Sequence, residues 1–125
     1  MKTYLFLLIF AFNAFSFLAQ TSDTSPKQFL YKVTLSKKYH KDANWTDKDK
    51  QLVGEHFERL KKATDEGKVI LAGRTDEAND KTFGIVIFYA KDEAEAKEFM
   101  LGDPAVKAGI MKATLHPYNV ALMKK

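Results

Sequence analysis

The stretch Thr82-Phe83-Gly84-Ile85-Val86-Ile87-Phe88-Tyr89-Ala90 decides the fold of this 125-residue chain. It reads as a single β-strand with two apolar faces, because successive side chains point to opposite sides. One face carries Phe83, Ile85, Ile87 and Tyr89, and the other carries Val86, Phe88 and Ala90. Helices can cover only one of these faces, and a large apolar sheet surface is rarely left in water. The strand therefore predicts helices on one face and, on the other, a second copy of the chain.

The segments around this strand complete a βαββαβ order. In chain order we predict a strand over Gln28–Ser36, a helix from Thr46 to Glu66, a strand over Lys68–Gly73, the strand quoted above, a helix from Asp92 to Gly102, and a strand over Ile110–Leu122. Pro117 is expected to break or bulge the last strand. This order is typical of an α+β, ferredoxin-like fold with a four-stranded antiparallel sheet and both helices on one face.

The run Asp103-Pro104-Ala105-Val106-Lys107-Ala108-Gly109 predicts a short rigid corner after the second helix. An Asp side chain caps a helix by accepting a free backbone N–H, and Pro suits the first helical position. Gly109 ends the turn where a positive φ is needed. The corner therefore holds the carboxylate of Asp103 in a defined place.

Chain direction brings several chemically capable residues to the same end of this predicted fold as Asp103. They are Tyr39, His40, Trp45, His56 and Arg74. His56 lies between Leu52 and Leu60 at helical spacing, so it faces or borders the packed side of the first helix. A histidine beside a fixed carboxylate can act as a general base. His56 and Asp103 are therefore the candidate catalytic residues, and the alternative is that they are only packing and capping residues.

Three further residues are candidates for binding a substrate. Arg74 follows a strand and could offer its guanidinium to an anion. Trp45, with Tyr31 and Tyr39, could line a pocket for a flat ligand, although such aromatic residues are more often core residues. His40 lies in the polar loop that reaches the same end. The three histidines match no metal-ligand spacing, so we predict neither a metal nor a cofactor.

Composition excludes several classes of function. The formal net charge is +4, but basic and acidic residues are interleaved along the chain. This pattern indicates a solvated surface, and no nucleic-acid partner is predicted. The chain has no cysteine, which excludes disulfides, thiol catalysis and thiolate metal sites.

The N-terminus has the order of a secretory signal peptide. Lys2 is followed by an apolar run from Tyr4 to Phe12 and then by small residues. We predict cleavage after Ala19, with cleavage after Ser16 as an alternative. An uncleaved anchor is a further alternative, although the run is shorter than the roughly 20 apolar residues that span a bilayer.

These signals divide the chain into three parts. Residues 1–19 are the predicted signal peptide, residues 20–27 a disordered leader, and residues 28–125 the folded domain. The protein is accordingly expected to be secreted or periplasmic, with no membrane attachment after cleavage.

Residues 55–60 (EHFERL), 67–73 (GKVILAG) and 103–109 (DPAVKAG) together resemble the YCII-related family, within the dimeric α+β barrel group. The first stretch is similar to that family's histidine motif and the third to its Asp-Pro corner. His116-Pro117 is similar to the ending found in one branch. The resemblance covers roughly Phe29 to Val120.

The resemblance implies a ferredoxin-like domain that dimerises sheet to sheet and has a cavity with a proposed His–Asp pair, here His56 and Asp103. One branch of the family is a lyase that uses this pair as its base. The chain departs from the family pattern at Arg74, where a proline often follows the glycine, and in having an export signal. Our leading hypothesis is an exported protein with a proton-transfer site for an unknown small molecule. The alternative is a non-catalytic dimeric module that binds a small ligand or a protein.

Overall fold

The computed structural model describes residues 23–125. The predicted signal peptide over residues 1–19 and the first part of the predicted leader, residues 20–22, lie outside the described residues. Residues 23–26 are exposed and precede the first strand without regular structure. No helix between residues 23 and 125 is both long enough and apolar enough to cross a membrane.

The domain is an α+β fold with one four-stranded antiparallel sheet, consistent with the predicted ferredoxin-like arrangement. The strands are β1 (Lys27–Leu35), β2 (Val69–Arg74), β3 (Phe83–Ala90) and β4 (Met111–Tyr118), in the spatial order β2-β3-β1-β4. The helices are α1 (Asp47–Asp65), α2 (Glu93–Leu101) and the one-turn α3 (Pro104–Lys107). Two short 3₁₀ turns, Lys37–His40 and Asp42–Asn44, lie between β1 and α1.

One face of the sheet forms the core beneath α1 and α2. In β1 the odd-numbered residues face the helices, and in β3 the even-numbered residues do, because Phe29 pairs with Phe88 and Tyr31 with Val86. The buried cluster also contains residues of β2 and of both long helices, namely Leu60, Ala63, Val69, Ala96 and Met100. Burying a large apolar side chain contributes roughly 1.5–3 kcal/mol, so this layer holds the helices to the sheet.

The opposite face of the sheet carries an apolar patch and has no helix on it within residues 23–125. Its central row runs across all four strands, because Leu71 pairs with Ile87, Ile87 with Leu30, and Leu30 with His116. Ile85 and Tyr89 extend the apolar surface along β3. We call this surface, made by Leu30, Leu71, Ile85, Ile87 and Tyr89, the open face.

The helix ends form where the sequence predicts them, because their signals are local. Thr46 and Asp49 make a reciprocal capping box at the start of α1. Asp92 caps α2 by accepting the backbone N–H of Glu95. Gly67 and Gly109 follow α1 and α3 with φ of +78° and +75°, a conformation that favours glycine.

Four details differ from the sequence-based expectations. Pro117 does not bulge β4, since it pairs with Phe29, and β4 is an edge strand, where proline is tolerated. The strand ends one residue later, at Tyr118, and not at the predicted Leu122. The irregularity lies instead in β2, between Val69 and Leu71. The apolar spacing Val53, Phe57, Leu60 predicts Phe57 in the packed face of α1, but Phe57 is 64% exposed.

Candidate active site

Asp103 is the buried anchor of the site. It has 0% exposure and caps α3, and its Oδ1 accepts the backbone N–H groups of Ala105 at 3.0 Å and Val106 at 3.4 Å. The corner that the sequence predicts thus holds one carboxylate oxygen by two backbone donors. The second oxygen, Oδ2, remains available to side chains from other elements.

His56 of α1 contacts that second oxygen, with 2.5 Å between His56 Nδ1 and Asp103 Oδ2. An ionised carboxylate can only accept a hydrogen bond, so Nδ1 carries the proton and donates it. In the neutral ring the lone pair is then on Nε2, which has no hydrogen-bond partner among the described residues. The His56 side chain is 13% exposed.

Tyr31 of β1 donates a second side-chain hydrogen bond to Asp103 Oδ2, at 3.4 Å. Its side chain is wholly buried, and that burial, together with the negative charge of Asp103, raises the pKa of the Tyr31 hydroxyl far above its usual value. Tyr31 therefore stays protonated, and a hydrogen-bond donor, at neutral pH. The sequence places Tyr31 on the inward face of β1, but it holds no signal that Asp103 is its partner.

Opposing effects act on the carboxyl group of Asp103. Burial raises its pKa, whereas the hydrogen bond and charge of His56 lower it, as do the backbone N–H groups of Ala105 and Val106. The lowering effects prevail, and the pKa lies below its ordinary value of 3.8. Asp103 is thus ionised at neutral pH and suited to orient and stabilise a protonated imidazole.

A cavity of about 670 Å³ lies beside His56, between α1 and the helix-covered side of β1, β2 and β3. Cavities of this size are typical of small-molecule sites. The wall contributed by α1 combines the apolar side chains of Val53, Phe57 and Leu60 with polar ones. The floor is formed by the sheet, and at its centre Gly84 lacks a side chain that would meet Val33 Cγ2 at 2.9 Å.

The structure brings most of the predicted site residues together. His56, Trp45 and Arg74 line the cavity, and Asp103 lies behind His56. His40 is not among the lining residues; its Nε2 lies 3.3 Å from the carbonyl oxygen of Leu35.

The tyrosines considered as pocket residues are core residues instead. Tyr31 belongs to the main core, and Tyr39 packs against the Trp45 ring with centroids 5.0 Å apart. The indole N–H of Trp45 donates to the Tyr39 carbonyl at 3.0 Å, which fixes the ring at the cavity edge.

Within the described part of the chain, no three histidine, aspartate or glutamate side chains come together as a set that could hold a metal ion.

A comparison with models of protein families gives a match. The family model described as the YCII-related domain matches residues 32–115, about two thirds of the chain. The matched residues include His56, Arg74 and Asp103, whereas His116-Pro117 lies just beyond them. A search of curated proteins found no match.

Proposed function

The chain belongs to the YCII-related domain family, and from this premise we propose that His56 and Asp103 transfer a proton to and from a small molecule in the cavity. The observation that carries the proposal is that the two ring nitrogens of His56 have different surroundings. Nδ1 is held by a buried carboxylate, while the ring lines the cavity with Nε2 unpaired among the described residues. This is the arrangement that a general base requires.

The proposed step begins with Nε2 of His56 accepting a proton from a carbon next to a carbonyl, or from a phenol. The electron pair of the broken C–H or O–H bond stays on the substrate as an enolate or phenolate. Asp103 stabilises the imidazolium that forms, because its charge lies 2.5 Å from Nδ1. Arg74 and Trp45 bind the substrate in this proposal, and His40 takes no part in it, since it lies outside the cavity lining.

Deuterium exchange tests the proposal without knowledge of the natural substrate. Small aromatic and aliphatic keto acids are incubated with the protein in D₂O, and loss of the C–H signal next to the carbonyl is followed by proton NMR. We expect the native protein to accelerate exchange of at least one acid. His56→Gln and Asp103→Asn should each lower that acceleration by roughly 10²–10⁴-fold, the usual contribution of a general base.

A matched control is His116→Gln, which changes a histidine on the opposite face of the sheet and should leave exchange unchanged. Failure of the native protein to accelerate exchange of any panel member would contradict the proposal. So would retention of full activity in His56→Gln.

The alternative function, a non-catalytic dimeric module that binds a small ligand or a protein, has one observation in its favour. Both oxygens of Asp103 are engaged in hydrogen bonds that also stabilise the fold. Under this alternative, His56→Gln lowers the melting temperature, and there is no exchange activity for it to remove. Measuring both quantities on one preparation separates the two functions.

We also propose that the protein is exported, to the periplasm or outside the cell. The proposal rests on the order of charged, apolar and small residues within 1–19. N-terminal sequencing of the purified mature protein should give Gln20 as the first residue, or Phe17 if cleavage follows Ser16. A product that retains Met1 would contradict export by signal cleavage.

A further inference from the structure

The cavity beside His56 has one cationic side chain that forms no ion pair within the described chain. Four ionisable side chains line it: His56, Lys61, Asp65 and Arg74. Lys61 Nζ pairs with Asp65 Oδ2 at 2.9 Å, and His56 pairs with Asp103. Arg74 has neither an ion pair nor a hydrogen bond from its side chain to any residue between 23 and 125. The described lining therefore carries an excess positive charge located on Arg74.

The side chain of Arg74 belongs to the cavity side of the sheet. Arg74 pairs with Gly84 across β2 and β3, and Gly84 shares its face with Val33, a core residue beneath the helices. A Cβ on Gly84 would lie 4.0 Å from Cβ of Arg74. Because Gly84 has no side chain, Val33 packs closely against the cavity floor beside the arginine.

Most of the remaining lining is apolar, which sets the second requirement on a ligand. Besides the residues already named, the sheet contributes hydrocarbon or aromatic surface from Leu35, Phe83, Val86 and Met111. Phe57, although 64% exposed, also lines the cavity, so its ring presents apolar surface that the protein itself leaves uncovered. A ligand with an apolar body would bury this surface.

From this combination we infer that the site takes a small organic acid: an apolar body with one carboxylate, which Arg74 binds. The inference rests on the proposed function and names the substrate class of the same site. A guanidinium binds a carboxylate through two parallel N–H···O hydrogen bonds, which a neutral amide cannot reproduce. The apolar body would then lie against Phe57 and the floor of the sheet. The C–H or O–H group that loses its proton in the proposed function would face His56.

The single tryptophan of the chain makes binding measurable at this site. Trp45 is the only tryptophan in the sequence, and it lines the cavity. Its emission is followed while the protein is titrated at neutral pH with matched pairs of probes: hexanoate against hexanamide, and phenylacetate against phenylacetamide. We expect each carboxylate to bind at least about tenfold more tightly than its amide, since a charge-assisted hydrogen bond contributes about 1.5–3 kcal/mol.

Two charge-removing variants identify the group responsible. Arg74→Gln should abolish the preference for the carboxylates. Lys61→Gln removes a cation from the same lining, but one that Asp65 already balances, so the preference should remain. Equal affinity for acid and amide, retention of the preference in Arg74→Gln, or the absence of any change in emission at millimolar probe would each overturn the inference.

The same titration distinguishes this inference from the proposed function. His56→Gln should still bind the carboxylates, because Arg74 is intact, although it no longer exchanges a proton. Carboxylate binding without deuterium exchange in the native protein would therefore refute the proton transfer and leave the ligand class standing. Exchange without a carboxylate preference would refute the ligand class and leave the proton transfer standing.

Discussion

At the scale of single residues, Asp103 joins the fold to the candidate chemistry. Two backbone N–H groups and two side chains donate to its oxygens. These four hydrogen bonds fix the carboxylate in position and replace the water that it loses on burial. Asp103 can therefore be both wholly buried and ionised. Its contribution to stability should therefore depend on pH.

The pH dependence of stability follows from the lowered pKa of Asp103. A carboxyl group whose pKa is lower in the folded than in the unfolded state contributes stability that is complete above the unfolded value and is lost as the pH falls through the folded value. The ordinary value is 3.8, so the loss should occur below about pH 4. Denaturant unfolding should show a steeper fall of the unfolding free energy in the native protein than in Asp103→Asn over this range.

Comparison with the variant isolates Asp103 from the other carboxyl groups. Asp49 and Glu95 also have lowered pKa values, through hydrogen bonds from Thr46 and Lys68 respectively, but they are present in both proteins. Parallel curves for native protein and Asp103→Asn would show that Asp103 contributes nothing to the acid sensitivity.

The hydroxyl of Tyr31 should contribute to stability although it does not line the cavity. Tyr31→Phe keeps the ring but leaves Asp103 with one fewer donor in a buried setting, and we expect a loss of about 1–2 kcal/mol in the unfolding free energy. Tyr39→Phe is the matched control, because its hydroxyl donates to the partly accessible Asp49, where water can replace it. A larger loss for Tyr39→Phe would contradict this ranking.

The sequence predicts some contacts of these residues and not others, for a physical reason. The meeting of His56 with Asp103 could be anticipated, because helix direction and the Asp-Pro corner place both at one end of the fold. The bond from Tyr31 to Asp103 joins residues 72 positions apart in the chain. It depends on how far α3 approaches β1, and no local pattern encodes that distance. His40 lies in a loop that reaches the same end of the fold, but that placement does not decide the direction of its ring, and His40 is not among the lining residues.

At the scale of helices and strands, the close packing at Gly84 of β3 has a testable consequence. Gly84→Ala would place a Cβ 2.9 Å from Val33 Cγ2 and 3.2 Å from the Gly73 carbonyl oxygen. We expect a loss of roughly 1–3 kcal/mol in the unfolding free energy, as for other overpacking substitutions. Gly54→Ala in α1 is the matched control, since its Cβ would meet nothing within 4 Å.

The control should change stability in the opposite direction. Alanine is favoured over glycine inside a helix by about 1 kcal/mol, so Gly54→Ala should raise the unfolding free energy. Thermal and denaturant unfolding of both variants check the pair. A stable Gly84→Ala protein would mean that Val33 moves aside at little cost, and that the cavity floor is less rigid than the contact distance suggests.

The features of helices and strands that could be predicted are those that depend on neighbouring residues in the sequence. Capping at Thr46 and Asp92 and the positive φ at Gly109 depend on a few neighbouring residues, and the structure has them as the sequence indicates. The effect of Pro117 depends on whether its strand lies inside the sheet or at its edge. That position follows from the order of strands, which is a property of the whole sheet.

At the scale of the whole molecule, the two faces of the sheet differ in whether helices cover them. One face is covered by α1 and α2 in a continuous core. The open face has an apolar row in which Ile87 is flanked by Leu30 and Leu71, and Leu71 remains 49% exposed. Because apolar surface of this kind is rarely left in water, we propose that the open face packs against the same face of a second copy.

A pair of leucines tests this dimer. Leu71 on the open face and Leu101 at the end of α2 are both 49% exposed, so replacing either by lysine removes a similar amount of apolar surface. We expect sedimentation equilibrium to give a dimer for the native protein and for Leu101→Lys, and a monomer for Leu71→Lys. In a two-fold interface the substitution brings a new charge from each copy into an apolar contact, and burying such charges without partners is costly. A monomeric native protein would contradict the dimer and leave the open face exposed to solvent. A dimer lost equally in both variants would mean that the open face is not the specific contact.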